Sequence, residues 1–324
     1  MIINPNSTTI ARPDLGLVVA EYSNENCVYI ADKILPWNPV SLRSDTFNKL
    51  KADGFSQLPQ SQRESNGGFN QISKKLTTDT YATLEHGLEE RIDAQDSSIY
   101  GAVIAGEQAS VEYVQNQMLR VYEKEVQDLV INETTFPTSG LTGFTITTPW
   151  DNAAATPYSD IAAAAENIRQ QTGYAKQFLT LEISPYTYAN IGKVTEVITR
   201  LTVSTQAFSG NISLQQLAFI WGVKEVIVGT MTHNTANEGL TPVYANTWGD
   251  DYAFLFLKME PGMKVDHKRP GLGLTFSWDY AQGIWLVETY TNDQLASNVA
   301  RVRNWRHAKI INAVYGNLLK NTKT

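Results

Sequence analysis

Residues 107–132 constrain the fold more than any other stretch of the chain. Apolar side chains recur at Val111, Val114, Met118, Tyr122, Val126 and Leu129, always three or four positions apart. That spacing keeps a single stripe on one side of an α-helix. Gln115, Asn116, Arg120, Glu123, Lys124 and Asp128 occupy the other faces. No Gly or Pro interrupts the run, and Thr134, Thr135 and Pro137 stop it. At 1.5 Å per residue the rod is roughly 39 Å long, about the width of a small domain.

Bulk composition limits what surrounds this rod. A chain of 324 residues has room for two or three cores of ordinary size. Charged residues make up only 18%, so the surface must be wetted by neutral polar groups or partly hidden against a partner. Net charge is −7, which argues against a general attraction to nucleic acid or anionic membranes. The balance is uneven, because nine Lys and Arg face four Asp and Glu from Lys264 onward. Cys27 is the lone cysteine, so neither an internal disulfide nor a cysteine zinc cage is expected. The first residues lack a basic region followed by an apolar core, and no apolar window reaches membrane-spanning length. A soluble chain made in a cytosol is expected.

Taken in order, residues 1–40 read as an extended arm, with strand-like runs at 17–20 and 28–30 and with Pro13, Pro36 and Pro39 opposing helix. Residues 41–47 and 71–77 read as two strands joined across Ser65-Asn66-Gly67-Gly68. Between Lys51 and Thr80 only six of thirty residues are hydrophobic, too few to offset the cost of ordering the segment on itself. Either it is disordered, or it is a hairpin stabilised by a neighbouring subunit. Tyr81, Leu84, Leu88 and Ile92 are spaced for a helix, and 141–148 for a strand. An alanine-rich helix runs from Ser159-Asp160 to Gln171, ended by Gly173, and 178–184 is a strand. Ser184 and Pro185 start a helix reaching about Arg200. Ser213 caps another at 214–221, stopped by Gly222; 223–228 and 252–259 are strands. Residues 146–272 thus read as an α/β block. At the end, 273–278 and 284–289 read as a hairpin. Residues 299–311 alternate Ala300, Val302, Ala308 and Ile310 against Arg301, Arg303, His307 and Lys309, a basic edge that faces solvent or, as the lesser alternative, phosphate.

This order, with Arg269-Pro270-Gly271-Leu272, Ile284-Trp285-Leu286-Val287-Glu288-Thr289-Tyr290 and the basic run 301–309 at its end, resembles the major capsid proteins of tailed bacteriophages, the Hong-Kong-97-type coat fold. Pro149-Trp150-Asp151 and the 160–172 helix resemble the entry to the axial domain of that family. The resemblance spans roughly residues 40–320 and rests on layout more than on any single position. It implies an α+β fold with an N-terminal arm at 1–40 and an extended loop at 41–80. A peripheral domain at 81–145, with the 107–132 spine helix, is completed by 273–324, and an axial domain occupies 146–272. It also implies hexamers and pentamers building an icosahedral head around double-stranded DNA, assembled in a bacterial cytoplasm. A scaffolding protein, a portal protein and a decoration protein are the partners such a shell uses. A scaffolding segment is absent from this sequence, so a separate scaffold is expected if one is used. No lysine–asparagine cross-linking pair can be assigned.

Two readings compete with this one. An encapsulin-type compartment is built on the same fold. A metal-dependent phosphoryl or nucleotidyl transferase could place Asp250 and Asp251 of Gly249-Asp250-Asp251 at the edge of strand 252–257 to hold magnesium. The tripeptide also fits a plain turn into a strand. His86, His233, His267 and His307 form no i, i+4 pair, and Asp266-His267 lacks a nucleophile elbow. Gly271-Leu272-Gly273 lacks the rest of a dinucleotide fingerprint. No catalytic, cofactor-binding or metal residue is therefore assigned. Trp248, Trp278 and Trp305 are candidates for subunit contacts.

Overall fold

The computed structural model describes residues 10–11, 29–50, 58–63, 65, 67–72, 76–93, 103–204, 212–237, 239–262, 270–279, 283–292 and 297–324. The runs expected at 17–20 and 28, together with Cys27 and the Asp266-His267 pair, lie outside them. The chain enters through β1 (Ile10–Ala11), the one-turn helix α1 (Ala31–Ile34) and β2 (Trp37–Val40). A hairpin of β3 (Ser44–Leu50) and β4 (Leu76–Ala82) follows, then β5 (Leu84–Asp93) and the long helix α2 (Val103–Val130). Short strands β6 (Ser139–Gly140) and β7 (Gly143–Thr145) lead to α3 (Pro157–Thr172), β8 (Thr180–Ile183), α4 (Pro185–Ile191), α5 (Thr195–Ser204), α6 (Leu214–Trp221) and β9 (Glu225–Val228). After them come β10 (Thr232–Asn234), β11 (Tyr244–Asn246) and β12 (Tyr252–Phe256). The last strands are β13 (Gly273–Trp278), β14 (Leu286–Asn292), β15 (Ser297–Ile310) and β16 (Gly316–Lys320).

Two six-stranded sheets carry most of the strands, and β3–β4 and β10–β11 form two-stranded sheets of their own. The first runs β1-β14-β15-β13-β2, with β5 along the other side of β15; the second runs β6-β7-β16-β12-β8-β9. Helix α2 ties them together. Its N-terminal half sets Val111 and Val114 on Val287, Ala300 and Val302 of the first sheet. Its C-terminal half sends Tyr122, Val126 and Val130 into a core shared with Ile30, Ile34, Leu35, Phe136, Phe254 and Phe256. Five of the six stripe residues are buried and Leu129 is half-buried, as the periodicity requires. The stripe is wider than the sequence indicates, because Gln115 and Glu123 are also fully buried. A rod wedged between two layers has two faces to cover.

At its centre the second sheet is covered on both sides, so all of β8 and all of β12 after Tyr252 are buried. Along β12, Ala253 and Leu255 face a core lined by α3 to α6, while Phe254 and Phe256 face α2. Helix boundaries follow local chemistry. The Ser184 and Ser213 hydroxyls accept from Thr187 N and Gln216 N, and Gly173 and Gly222 end α3 and α6 with φ of 79° and 65°. The helix expected from Pro185 to about Arg200 is two helices, broken at Gly192-Lys193.

Three other expectations are corrected. Tyr81, Leu84, Leu88 and Ile92 belong to strands, with β5 antiparallel to β15 from Leu84↔Arg306 to Asp93↔Ser297. A step of four is a multiple of the strand period as well as near the helical one, so spacing alone could not decide. β13 and β14 do not form a hairpin, since both pair with β15, β14 along 297–303 and β13 along 306–310. β15 is not an edge: Arg301, Arg303 and Lys309 are half-buried and pair with carboxylates, and His307 meets a backbone carbonyl. In addition, β16 leaves the expected 273–324 grouping and joins the second sheet beside β12, as do β6 and β7.

Candidate assembly interface

The polar segment 41–80 is built from its base outward. Seven residue pairs, from Ser44↔Ala82 to Leu50↔Leu76, zip β3 to β4. Phe47 and Tyr81 seat the hairpin on Phe276 of β13, the Tyr81 ring stacked at 4.4 Å and the Phe47 ring at 5.7 Å. Asp79 accepts hydrogen bonds from Lys49 at 2.9 Å and from Lys309 of β15. Partial burial raises the Asp79 pKa, but the two lysine hydrogen bonds outweigh it and hold the carboxyl at about 2. Lys49 also donates to the Ile311 carbonyl at 2.9 Å.

Beyond this base the described apolar residues are largely exposed. Leu58 is 99% exposed, and Phe69 and Ile72 are each 77% exposed. The two arms, 58–63 and 67–72, are held by side chains: Asn70 Nδ2 donates to the Gln60 carbonyl at 2.7 Å, and the Arg63 guanidinium lies 4.6 Å from the Phe69 ring. Among the described residues no backbone ladder joins them. Further exposed apolar groups are Leu84 and Leu88 on β5, Tyr113 and Val121 on α2, Phe219 on α6, and Leu240, Val243 and Tyr244 around β10–β11. Exposed apolar clusters rimmed by polar residues mark contact surfaces.

Where strand register places the basic residues of β15, they are neutralised. Arg301 sits between Glu89 at 3.0 Å and Glu288 at 3.8 Å, and Arg303 between Glu85 at 2.9 Å and Glu288 at 2.6 Å. His307 Nδ1 lies 2.8 Å from the Ala82 carbonyl. The residues of the enzyme alternative are similarly engaged. Gly249 has φ of 60°, Asp250 accepts from Asn246 Nδ2 at 2.8 Å and from Lys323 Nζ at 3.1 Å, and the Asp251 carbonyl accepts from the backbone of Asn321 and Thr322. The pair is a turn tying β12 to the residues after β16. Among the described residues no group of three or more His, Cys, Asp or Glu is arranged to hold a metal ion, and no helix is long and apolar enough to cross a membrane.

Trp248 is not at a surface, contrary to expectation. It is fully buried, and its indole donates to Glu123 Oε1 at 2.6 Å. Trp305 is buried against Trp278, edge to face at 5.7 Å, and Trp278 is half-buried. Glu123 is the residue that sequence reasoning missed. Besides Trp248 it accepts from the backbone N–H of Ile30 and Ala31 at 2.8–3.2 Å, so it caps α1 and pins residues 29–35 to the long helix. Burial pushes its pKa up to about 7 despite those hydrogen bonds. No local signal distinguishes it from its exposed neighbour Lys124.

No protein-family profile matches the chain. Across 255 residues it is 22% identical to the major capsid protein of Pseudomonas phage JBD67, covering 75% of this chain and 76% of that protein. A phage-related protein of Bordetella bronchiseptica RB50 superposes with a TM-score of 0.72 at 18% identity, covering 97% of this chain and 98% of that one. The capsid protein of cyanophage P-SCSP1u superposes at 0.60, with 14% identity over 89% and 86% of the two chains. The chain has the Hong-Kong-97-type coat fold. In the terms of that fold, α2 is the spine helix and the β3–β4 hairpin begins the extended loop.

Proposed function

We propose that this chain is the major capsid protein of a tailed double-stranded DNA bacteriophage, forming hexamers and pentamers that close into an icosahedral head. The role is structural rather than enzymatic, in keeping with the major capsid protein it resembles. One observation carries the reading beyond the fold: a hairpin firmly anchored at its base holds Leu58, Phe69 and Ile72 away from every core of its own chain. Such a strap gains stability only where a second copy covers it. Many contacts, each weak after association entropy is subtracted, become strong when repeated over a closed shell.

In this reading 1–40 is the N-terminal arm and 41–80 the extended loop. Residues 81–145 and 273–324 form most of the peripheral domain. Residues 146–272 form the axial domain, whose sheet is completed by β6, β7 and β16. The exposed groups around β10–β11 then face the capsomer centre. Scaffolding and portal proteins, and a decoration protein, are the partners expected of such a shell, and the mature location is the virion. An acidic chain suits a container that does not grip its DNA.

Negative-stain electron microscopy of the purified protein, with and without residues 58–72, tests the reading. Closed particles tens of nanometres across should form from the full chain and not from the deletion. A dispersed monomer under all assembly conditions would overturn it. An encapsulin-type compartment would instead form shells that retain a protein cargo and exclude DNA. The transferase alternative requires nucleotide turnover that Asp250→Ala abolishes.

A further inference from the structure

Glu182 is the side chain least explained by the fold. It is fully buried, and neither of its carboxyl oxygens has a hydrogen-bond partner among the described residues. Register fixes where it points. On β8 it lies between Ile227 of β9 and Phe254 of β12, so it shares their face, which packs against α2 and residues 30–35. A carboxylate with no donors in that setting would be very costly, whereas a carboxylic acid is tolerable. Burial raises its pKa well above the carboxylate range, and the nearby Glu123 charge raises it further.

Glu123 has the opposite surroundings. Two backbone N–H groups and the Trp248 indole all donate to it, the setting of an ionised carboxylate. Beyond it on α1 stands Asp32, with Lys33 and Lys258 beside that group. The adjoining strands offer Glu182 only Ile227 and Phe254 as cross-strand neighbours. Two carboxyls therefore meet at the joint where the second sheet, the spine helix and the N-terminal segment converge, one with donors and one without.

We propose that Glu182 carries a proton at neutral pH, and that this proton keeps the joint closed. Its loss would set a second negative charge against Glu123 in an apolar core and release residues 29–35 from α2. The inference rests on the joint alone and not on the capsid reading. Because the folded state holds a proton that the unfolded state has given up, stability falls as pH rises from about 4.5, the ordinary glutamate range, toward the folded value.

Infrared spectroscopy of the full chain, labelled with carboxyl-13C glutamate, tests the first half. At about pH 8 Glu123 is mostly ionised, and a protonated-glutamate carbonyl band should remain in the wild type and vanish in Glu182→Gln. Absence of the band in the wild type, or its persistence in the variant, would overturn the proposal. Urea unfolding tests the linkage. Between about pH 5 and 8 the unfolding constant should rise about tenfold less per pH unit in Glu182→Gln than in the wild type, one proton's worth. Glu182→Met serves the same comparison if the Gln variant does not fold. Hydrogen exchange of the Ile30 and Ala31 amides, corrected for intrinsic rates, reads the joint itself. Protection should be lost on alkalinisation in the wild type and kept in the variant, and equal protection in both would sink the idea.

Discussion

Removing Glu123 would strand three donors at once, since the Ile30 and Ala31 amides and the Trp248 indole belong to buried residues. Each orphaned buried donor costs about 1–3 kcal/mol, so Glu123→Ala should lose about 3 kcal/mol or more in urea unfolding. Lys124→Ala, one position along, breaks an exposed pair with Asp128 and a hydrogen bond to the Gln127 amide, and should cost under about 1 kcal/mol. The contrast isolates burial from charge. A second residue-scale test concerns Gly229, where an added Cβ would lie 2.2 Å from Cδ1 of the buried Trp248. Gly229→Ala must push that indole off Glu123, and should cost about 1–3 kcal/mol as overpacking does. A lowered denaturation midpoint with an unchanged slope, accompanied by a shift in tryptophan fluorescence, is the expected result. Neither position stands out in the sequence. The three-and-four spacing that marks Val111 to Leu129 says nothing about a second layer, and it is the second layer that buries Glu123.

Elements were legible where their signals were local. Ser184, Ser213, Gly173 and Gly222 mark helix ends by chemistry that acts within four residues, and each does so in the structure. Pairing across the chain was not legible. β15 pairs with both β13 and β14 from a later position, and β5 is a strand only because β15 lies beside it. The hairpin of β3 and β4 falls between these cases. Its polarity is visible in the sequence, but its anchor, Asp79 between Lys49 and Lys309, joins residues 230 positions apart. That anchor has a pH signature. Asp79 has a folded pKa lowered to about 2, so its stabilisation is present above the ordinary aspartate value and is lost as pH falls from about 4 to 2. Amide exchange in 44–50 and 76–82 should therefore accelerate on acidification in the wild type, beyond the intrinsic change. Asp79→Asn should show the faster exchange already at neutral pH, with little further change in acid.

At the scale of the whole molecule, the coat fold separates what must be rigid from what must wait for a partner. Both sheets and α2 share continuous cores, and the joint between them is closed by Glu123. Among the described residues, none of the hairpin tip enters a core. Substituting its apolar residues should therefore divide folding from assembly cleanly. Phe69→Ser with Ile72→Ser removes side chains that are 77% exposed in the free chain, so the unfolding midpoint of the unassembled protein should barely move. If a neighbouring copy covers them in the shell, the pair contributes about 1.5–3 kcal/mol per side chain there. A loss of about 3 kcal/mol per subunit raises the protein concentration needed for assembly by more than a hundredfold. Sedimentation of assembly reactions across a concentration series measures that shift directly. An unchanged assembly threshold would mean that the strap's tip is not where copies grip one another, and that the exposed groups of β5, α2 and β10–β11 bear the contact instead.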